Sequence, residues 1–365
     1  MALIVRIKKK LGDFSLDVSF QTERGRMAIL GASGCGKSMT LKCIAGIETP
    51  DEGYIELDGR VFFDSEHHIN RKPQERNVGY LFQDYALFPT MTVYENLRCA
   101  TKKDEEIKQY VERFCLQGLE HLYPRALSGG QKQRVALARM LAKHPDLILF
   151  DEPFSALDNH LRTHMEREIM GLLEEYEGIS ILVSHDRNEV FRMTERIGVM
   201  CDGTMLCVEE KHEFFNHPKS LAQTLLTGCK NVSRVTFLKE DGNKVYYEAK
   251  DWGIPMVLTK REERDYSKVS YLALRAHFFH GMEWKDASQE DFLSVPQNCI
   301  PCTLVRSVED TFSMSVLLSN PKASGGEYSL ITYEVDHGVW EKEGMEHWKG
   351  FLLEIPEEKV ILLDM

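Results

Sequence analysis

Gly31-Ala32-Ser33-Gly34-Cys35-Gly36-Lys37-Ser38 constrains this chain more than any other segment. The pattern Gly-x-x-x-x-Gly-Lys-Ser needs a tight loop between a strand and a helix, and its flanks supply both. Arg26 to Leu30 reads as a strand, and Lys37 to about Ala45 as a helix. In that setting the glycines let backbone N–H groups of Gly31, Ala32, Ser33, Gly34, Cys35 and Gly36 point inward at phosphate oxygens. The helix start adds a favourable dipole, and Lys37 supplies a cation at the β- and γ-phosphates. Ser38 offers a hydroxyl to Mg²⁺. Met39 stands where many such loops carry a second hydroxyl, so backbone donors are expected to replace that contact. Cys35 reads as a tolerated spacer whose thiol could respond to oxidants.

A second segment completes the chemistry. Leu147-Ile148-Leu149-Phe150 is a continuous apolar run that closes on Asp151-Glu152, as a strand covered on both faces would. Asp151 at its end is placed to hold magnesium through water. Glu152 is placed to accept a proton from an attacking water, a contribution of roughly 10²–10⁴-fold for a general base. Ser184-His185-Asp186 follows the next such run, Ile179 to Val183, so His185 sits at the same sheet edge within reach of a γ-phosphate. Gln83 alone carries no chemistry that identifies it.

Leu127-Ser128-Gly129-Gly130-Gln131 opens a helical pattern running from about Gly130 to Lys143, with Val135, Ala138 and Leu141 on one face and His144-Pro145 as its stop. Ser128 reads as the N-cap, and a capped, glycine-rich helix start is an anion site.

The rest of the 365 residues bounds the architecture. The length suggests two domains, and 43% hydrophobic with 28% charged residues is an ordinary globular composition. No apolar run approaches the roughly 20 residues of a membrane helix. The first residues have no signal-peptide pattern, so a cytoplasmic chain is expected, linked to any membrane through partners. A net charge of −12 argues against nucleic acid as a partner. Nine cysteines fit reduced thiols, and Cys299-Ile300-Pro301-Cys302 reads as two buried strand residues rather than a metal site. Near Thr227-Gly228-Cys229 the character changes from alternating strands and helices to short strands: Val232 to Phe237, Lys244 to Ala249, Val269 to Arg275, Cys302 to Ser307, Phe312 to Leu318, Tyr328 to Tyr333 and Phe351 to Ile355. The expected organisation is an α/β domain over 1–228 and a small all-β domain, barrel or sandwich, over 229–365.

Taken in order, these residues resemble the ATPase subunits of ATP-binding-cassette (ABC) transporters over about residues 1 to 228. Gly31 to Ser38 looks like the Walker A loop, Gln83 the Q-loop, Leu127 to Gln131 the family signature, and Leu147 to Glu152 the Walker B strand. Ser155-Ala156-Leu157-Asp158 resembles the D-loop and His185 the switch histidine. The resemblance implies a P-loop ABC fold, a mixed sheet with a helical subdomain. It further implies ATP and Mg²⁺ as cofactors, with Ser38, Gln83 and Asp151 around the metal. The family works as a head-to-tail homodimer, in which each phosphate loop faces the Ser128-Gly129-Gly130-Gln131 signature and Asp158 of the other copy. Phe14 is the candidate for the adenine-stacking aromatic, with a core phenylalanine as the alternative.

Tyr80 to Pro89, followed by Thr92 to Leu97, looks like the segment with which importer ATPases grip permease subunits; Tyr85, Leu87 and Phe88 would be suitable exposed anchors, while part of the run must pack on its own domain. Leu57 to Ser65, Arg76 to Tyr80 and Thr227 to Asn231 most resemble molybdate importer ATPases. Their C-terminal β domain is of the OB or TOBE type, and Tyr271 to His277 resembles a motif of it. The implied assembly contains permease subunits at the cytoplasmic face of the membrane and, indirectly, an extracytoplasmic binding protein. Importers of sulfate, iron, sugar or polyamine are the alternatives, followed by a soluble ABC ATPase outside transport.

Overall fold

The computed structural model describes residues 1–155, 159–261, 263–284, 295–326 and 328–364, and the chain parts into two units, Met1–Lys211 and His212–Met365. The first unit is built on one sheet of eleven strands. They are β1 (Ala2–Leu11), β2 (Phe14–Glu23), β3 (Gly25–Leu30), β4 (Glu52–Leu57), β5 (Arg60–Asp64), β6 (Ile69–Asn70), β7 (Val78–Leu81), β8 (Leu147–Asp151), β9 (Ile179–Val183), β10 (Arg196–Cys201) and β11 (Thr204–Glu210). Their order is β6-β5-β4-β1-β2-β11-β10-β3-β9-β8-β7.

The block β10-β3-β9-β8-β7 is parallel, and the strands from β6 to β2 pair antiparallel. Every residue of β8 and β9 is buried. Because successive side chains point to opposite faces, β8 feeds two cores. Leu147 and Leu149 join Leu41 and Ile44 of the helix Lys37–Ala45, whereas Ile148 and Phe150 join Val135 and Leu137 of the helix Gly129–Leu141. The antiparallel region makes this the mixed sheet that the resemblance implied. Its cause is the alternation of Leu3, Val5, Ile7 and of Leu16, Val18, Phe20, all facing one core. The Asp202-Gly203 step makes a tight hairpin between β10 and β11, with φ of 44° and 81°.

A buried arginine holds the helix of the phosphate loop in place. Arg76 is fully buried, and its guanidinium donates to the carbonyls of Cys43 and Ile44 at 2.8 Å each, to the Arg71 carbonyl and to Asn70 Oδ1. It thereby serves the Ile44 carbonyl at the end of the helix Lys37–Ala45 and adds a second donor to the Cys43 carbonyl, which also accepts from the Gly46 N–H. Burial pulls its pKa down to about 10.

The second unit is all-β apart from short helices. Its strands are β12 (Asn231–Asp241), β13 (Lys244–Ala249), β14 (Ile254–Thr259), β15 (Val269–Leu274), β16 (His280–Glu283), β17 (Cys299–Glu309), β18 (Ser313–Ser319), β19 (Leu330–Asp336), β20 (Phe351–Glu354) and β21 (Ile361–Asp364). They form two antiparallel five-stranded sheets, β14-β13-β12-β15-β21 and β16-β20-β17-β18-β19. One core joins them, with Val245, Tyr247 and Leu272 from the first sheet and Ile300, Val316 and Phe351 from the second. Cys299 and Cys302 are free, buried residues of β17. The helices Lys211–Asn216 and Leu221–Leu226 precede the change of character read near 228. They are tied to the β domain by Arg275, which donates to the carbonyls of Phe215 and Thr227.

Replacing Arg76 by Met keeps the stem and removes these donors. Arg76→Met should lower unfolding stability by about 3 kcal/mol. A denaturant midpoint equal to that of the unaltered chain would show that these bonds contribute nothing net.

Candidate nucleotide site

The phosphate loop leaves β3 and turns through Gly34 and Gly36, both at positive φ. At Gly36, with φ of 100°, a Cβ would lie 2.7 Å from Leu16 Cδ1 and 3.1 Å from the Phe14 ring. At Gly31 it would lie 2.2 Å from the Met200 carbonyl oxygen. Backbone therefore excludes a side chain at Gly31, and at Gly36 the left-handed φ strains one. Gly36 caps the helix Lys37–Ala45 without a side-chain hydrogen bond, so its first-turn N–H groups keep their donor capacity for an anion. Lys37 is buried, and its Nζ donates to the carbonyls of Gly31 at 2.9 Å and Ala32 at 2.8 Å. Its ammonium is thus stored across the mouth of the loop. Cys35 is buried with its Sγ 3.9 Å from that ammonium, while Ala32, Ser33 and Gly34 are exposed.

Two oxygens at the end of β8 are already paired. Ser38 Oγ donates to Asp151 Oδ1 at 2.6 Å, and the Tyr80 hydroxyl donates to Oδ2 at 2.8 Å. Asp151 is only 8% exposed, and burial together with its charge pushes the Tyr80 phenol well above the usual tyrosine range. A hydroxyl and a carboxylate are the hard oxygen donors that Mg²⁺ takes, and that ion keeps several waters and substrate oxygens besides. Among the described residues no group of three or more His, Cys, Asp or Glu is placed to hold a metal.

Glu152 turns out of the sheet at φ of 48°. Its N–H donates to the Val183 carbonyl at 3.0 Å, and its carbonyl accepts from Ser155 Oγ at 3.0 Å. A non-glycine residue in the left-handed region is strained, and strain of this kind persists where a site over-determines it. Its Oε2 lies 3.5 Å from His185 Nδ1, so the acid and histidine inferred separately from sequence meet here. Ser184 and Asp186 brace the histidine's turn. Ser184 Oγ accepts from the Asp186 N–H at 2.9 Å and donates to the buried Glu189 at 2.6 Å. Burial raises the Glu189 pKa.

The signature forms the expected cap. Ser128 Oγ accepts from the Gln131 N–H at 3.3 Å, and Gln131 Oε1 accepts from the Ser128 N–H at 2.8 Å, a reciprocal box. Ser128 and Gly129 are exposed and Gly130 is buried. The Ser128 side chain and N–H are bonded within this turn, and the helix N-terminus around Gly129 is open to solvent. Further along the same helix, buried Gln133 donates to the Pro153 carbonyl at 3.1 Å, tying the signature helix to the segment after Glu152.

Other expected site residues fall less simply. Gln83 lies exposed in the turn after β7 and bonds to neither Ser38 nor Asp151. Met39 is half-buried and packs on the core, so an apolar contact occupies the position of the missing hydroxyl. Phe14 is half-buried, packed on the core and beside Gly36, which puts it next to the phosphate loop as well. Ala156, Leu157 and Asp158 lie outside the described residues.

A cleft of about 350 Å³ opens behind β7, lined by Gln74, Tyr80, Phe82, Tyr85, Phe88 and Arg139 among others. Here one expectation is corrected. Tyr85 is only 6% exposed, because it turns into the core of the helical part, and Leu87 is half-buried; Phe88, at 45%, is the exposed anchor. Arg139 of the signature helix donates to the carbonyls of Tyr85 at 3.2 Å and Ala86 at 2.8 Å and lies over the Phe88 ring. Those carbonyls are fixed while Tyr85 and Ala86 both hold positive φ.

Comparison with known proteins agrees with this geometry. Residues 16–155 match the family model described as ABC transporter. A sulfate/thiosulfate import ATP-binding protein of Mannheimia succiniciproducens is 34% identical over 284 residues, 74% of this chain and 77% of that protein. This chain belongs to the ABC transporter family. A spermidine/putrescine import ATP-binding protein of Oleidesulfovibrio alaskensis is 34% identical over 280 residues, 73% of each chain. An Fe(3+) ions import ATP-binding protein of Haemophilus influenzae is 39% identical over 234 residues, covering 62% of this chain and 66% of that protein, just under two thirds of its length. Among solved structures, the dimeric structure of MJ0796, a bacterial ABC transporter cassette, aligns with a TM-score of 0.50 and 29% identity over 58% of this chain and 99% of that one. The ABC cassette thus lies in the N-terminal part, and the all-β unit is an addition to it.

Since Gly36 holds φ of 100°, where a side chain is strained and its close neighbours must shift, Gly36→Ala should weaken binding of an ATP analogue by about tenfold or more. Calorimetric titration with the full chain would read this directly, and an unchanged Kd would contradict the close packing described.

Proposed function

We propose that this chain is the ATP-hydrolysing subunit of an ABC importer, working as a homodimer beneath membrane permease subunits. The observation that carries this reading is the convergence of Lys37, Ser38, Asp151, Glu152 and His185 at one sheet edge, with the signature on a separate exposed helix start. With nucleotide bound, Lys37 would give up the Gly31 and Ala32 carbonyls for phosphate, and Ser38 and Asp151 would hold Mg²⁺. That ion supplies positive charge where the phosphates become more negative. Glu152 would take the proton of the attacking water, and His185 would orient the acid and the terminal phosphate. Ser128, Gly129 and Gly130 would meet the phosphates of a second copy, with Gln131 holding the cap, because an anion binds well at an open helix start. The Asp158 segment is assigned to the same dimer contact through its family motif.

The cleft around Phe82 and Phe88 is the proposed seat of the permease. A peripheral position at the cytoplasmic face is proposed with it; among the described residues no helix is long and apolar enough to cross a membrane. The relatives are named for iron, sulfate/thiosulfate and polyamine import. Molybdate is the cargo proposed from Leu57 to Ser65, Arg76 to Tyr80 and Thr227 to Asn231. Sulfate is the second reading, favoured by the sulfate/thiosulfate relative that aligns over 74% of this chain. Comparing uptake of molybdate, sulfate, ferric ion and putrescine in cells with and without this subunit would separate them, and a defect confined to one of the last three would overturn molybdate.

Glu152→Gln should bind ATP normally and lose about 10²–10⁴-fold in turnover; near-normal hydrolysis would remove Glu152 from the role of base. Ser128→Arg should leave the monomer folded while abolishing ATP-driven dimerisation, read by light scattering in the Glu152→Gln background. Dimers formed as readily with the arginine present would overturn the shared site.

A further inference from the structure

Tyr80 belongs to two places at once. It lies on β7, in register beside Leu149 of β8, so its ring runs along the neighbouring strand toward Asp151, two residues on. Its hydroxyl donates to Asp151 Oδ2 at 2.8 Å. Its ring forms part of the cleft wall, with the Phe82 ring 4.4 Å away and tilted by 41°.

We propose that Tyr80 is a positioning residue that sets the metal-binding carboxylate of Asp151 and links it mechanically to the wall of the cleft. The inference rests on the ATPase reading above and deepens it. Asp151 has two hydrogen-bonded oxygens, and the bond from Ser38 is the one that must open when the Ser38 hydroxyl turns to a metal. The Tyr80 bond does not compete in this way. It restrains rotation of the carboxylate and leaves Oδ1 to face the ion and its waters. Partners of this kind, one bond removed from the metal, orient its ligands and commonly change metal affinity by about 10–100-fold. A half-buried phenol also has reason to keep this bond, because an unpaired hydroxyl in such a position costs stability. The ring cannot shift toward or away from Phe82 without moving the hydroxyl on Asp151. An occupant pressing on Phe82 therefore reaches the metal site through one side chain.

The test uses the full chain and reads metal binding rather than turnover. Mg²⁺ is titrated calorimetrically into protein saturated with a non-hydrolysable ATP analogue, alongside analogue binding in EDTA and thermal unfolding. Tyr80→Phe should weaken Mg²⁺ about tenfold, with analogue binding in EDTA unchanged and only a small fall in the unfolding midpoint. Phe82→Ala touches neither oxygen of Asp151, yet it should weaken Mg²⁺ too, and the double variant should be no weaker than Tyr80→Phe alone. Unchanged Mg²⁺ affinity in Tyr80→Phe, or a loss matched by equal losses in EDTA binding and stability, would overturn the positioning role. An unaffected Phe82→Ala, or additive losses in the double variant, would overturn the link to the cleft. If the unaltered chain binds no analogue with or without Mg²⁺, the ATPase reading itself falls and this inference falls with it.

Discussion

Strand β8 is covered on both faces by apolar side chains, so its final residue is a carboxylate delivered to the sheet edge with little water to solvate it. Asp151 at that edge finds two hydroxyl donors, Ser38 from the phosphate loop and Tyr80 from β7. Nearly everything else in the candidate site is placed by what surrounds this strand. β3 on one side of β9 and β8 on the other carry the phosphate loop and the two acids to a common edge, and β9 brings His185 to within 3.5 Å of Glu152. A parallel sheet with both faces buried allows this because its strand ends are the exposed positions left for chemistry.

Two arginines, Arg76 fully buried and Arg139 half-buried, secure the pieces around that edge. Arg76 collects carbonyls at the end of the phosphate-loop helix, and Arg139 collects those of Tyr85 and Ala86 in the turn beyond β7. Each guanidinium has lost water, and burial lowers the pKa of both. The planar fork of arginine suits this task, since it serves several carbonyls at once from one rigid group. Asn96, fully buried, adds to the second cluster by donating to the carbonyls of Phe88, Met91 and Thr92 while accepting from Arg139. The cleft and the signature helix are thus connected by fixed polar contacts as well as apolar packing.

Much of this was legible because its signals are local. A phosphate loop is a run of consecutive residues, the Ser128 cap spans four positions, and the apolar run before Asp151-Glu152 announces a doubly covered strand. The Asp202-Gly203 hairpin is equally local. The β1–β2 pair was legible too, through the alternation of Leu16, Val18 and Phe20, but the basic run Lys8-Lys9-Lys10 masks the same period at the end of β1. In the second unit, Pro255 within β14 and Gly281 within β16 hide strands that tertiary pairing nevertheless forms. Tyr85 shows the opposite failure. Among Tyr85, Leu87 and Phe88 composition offers no means of choosing which ring turns inward, and the backbone at positive φ makes that choice.

By itself, the sequence determined the nucleotide chemistry, because the phosphate loop, the paired acids and the capped signature each place their donors through short-range backbone geometry. It also determined that a β-rich unit follows the cassette. Only the tertiary structure decided which side chains meet across elements: Glu152 with His185, Arg139 with the turn at Tyr85, and Tyr80 with Asp151. Those contacts join residues separated by 33, 54 and 71 positions. No local pattern encodes them, since they depend on strand order and register, which are set by how the two cores pack on either side of β8.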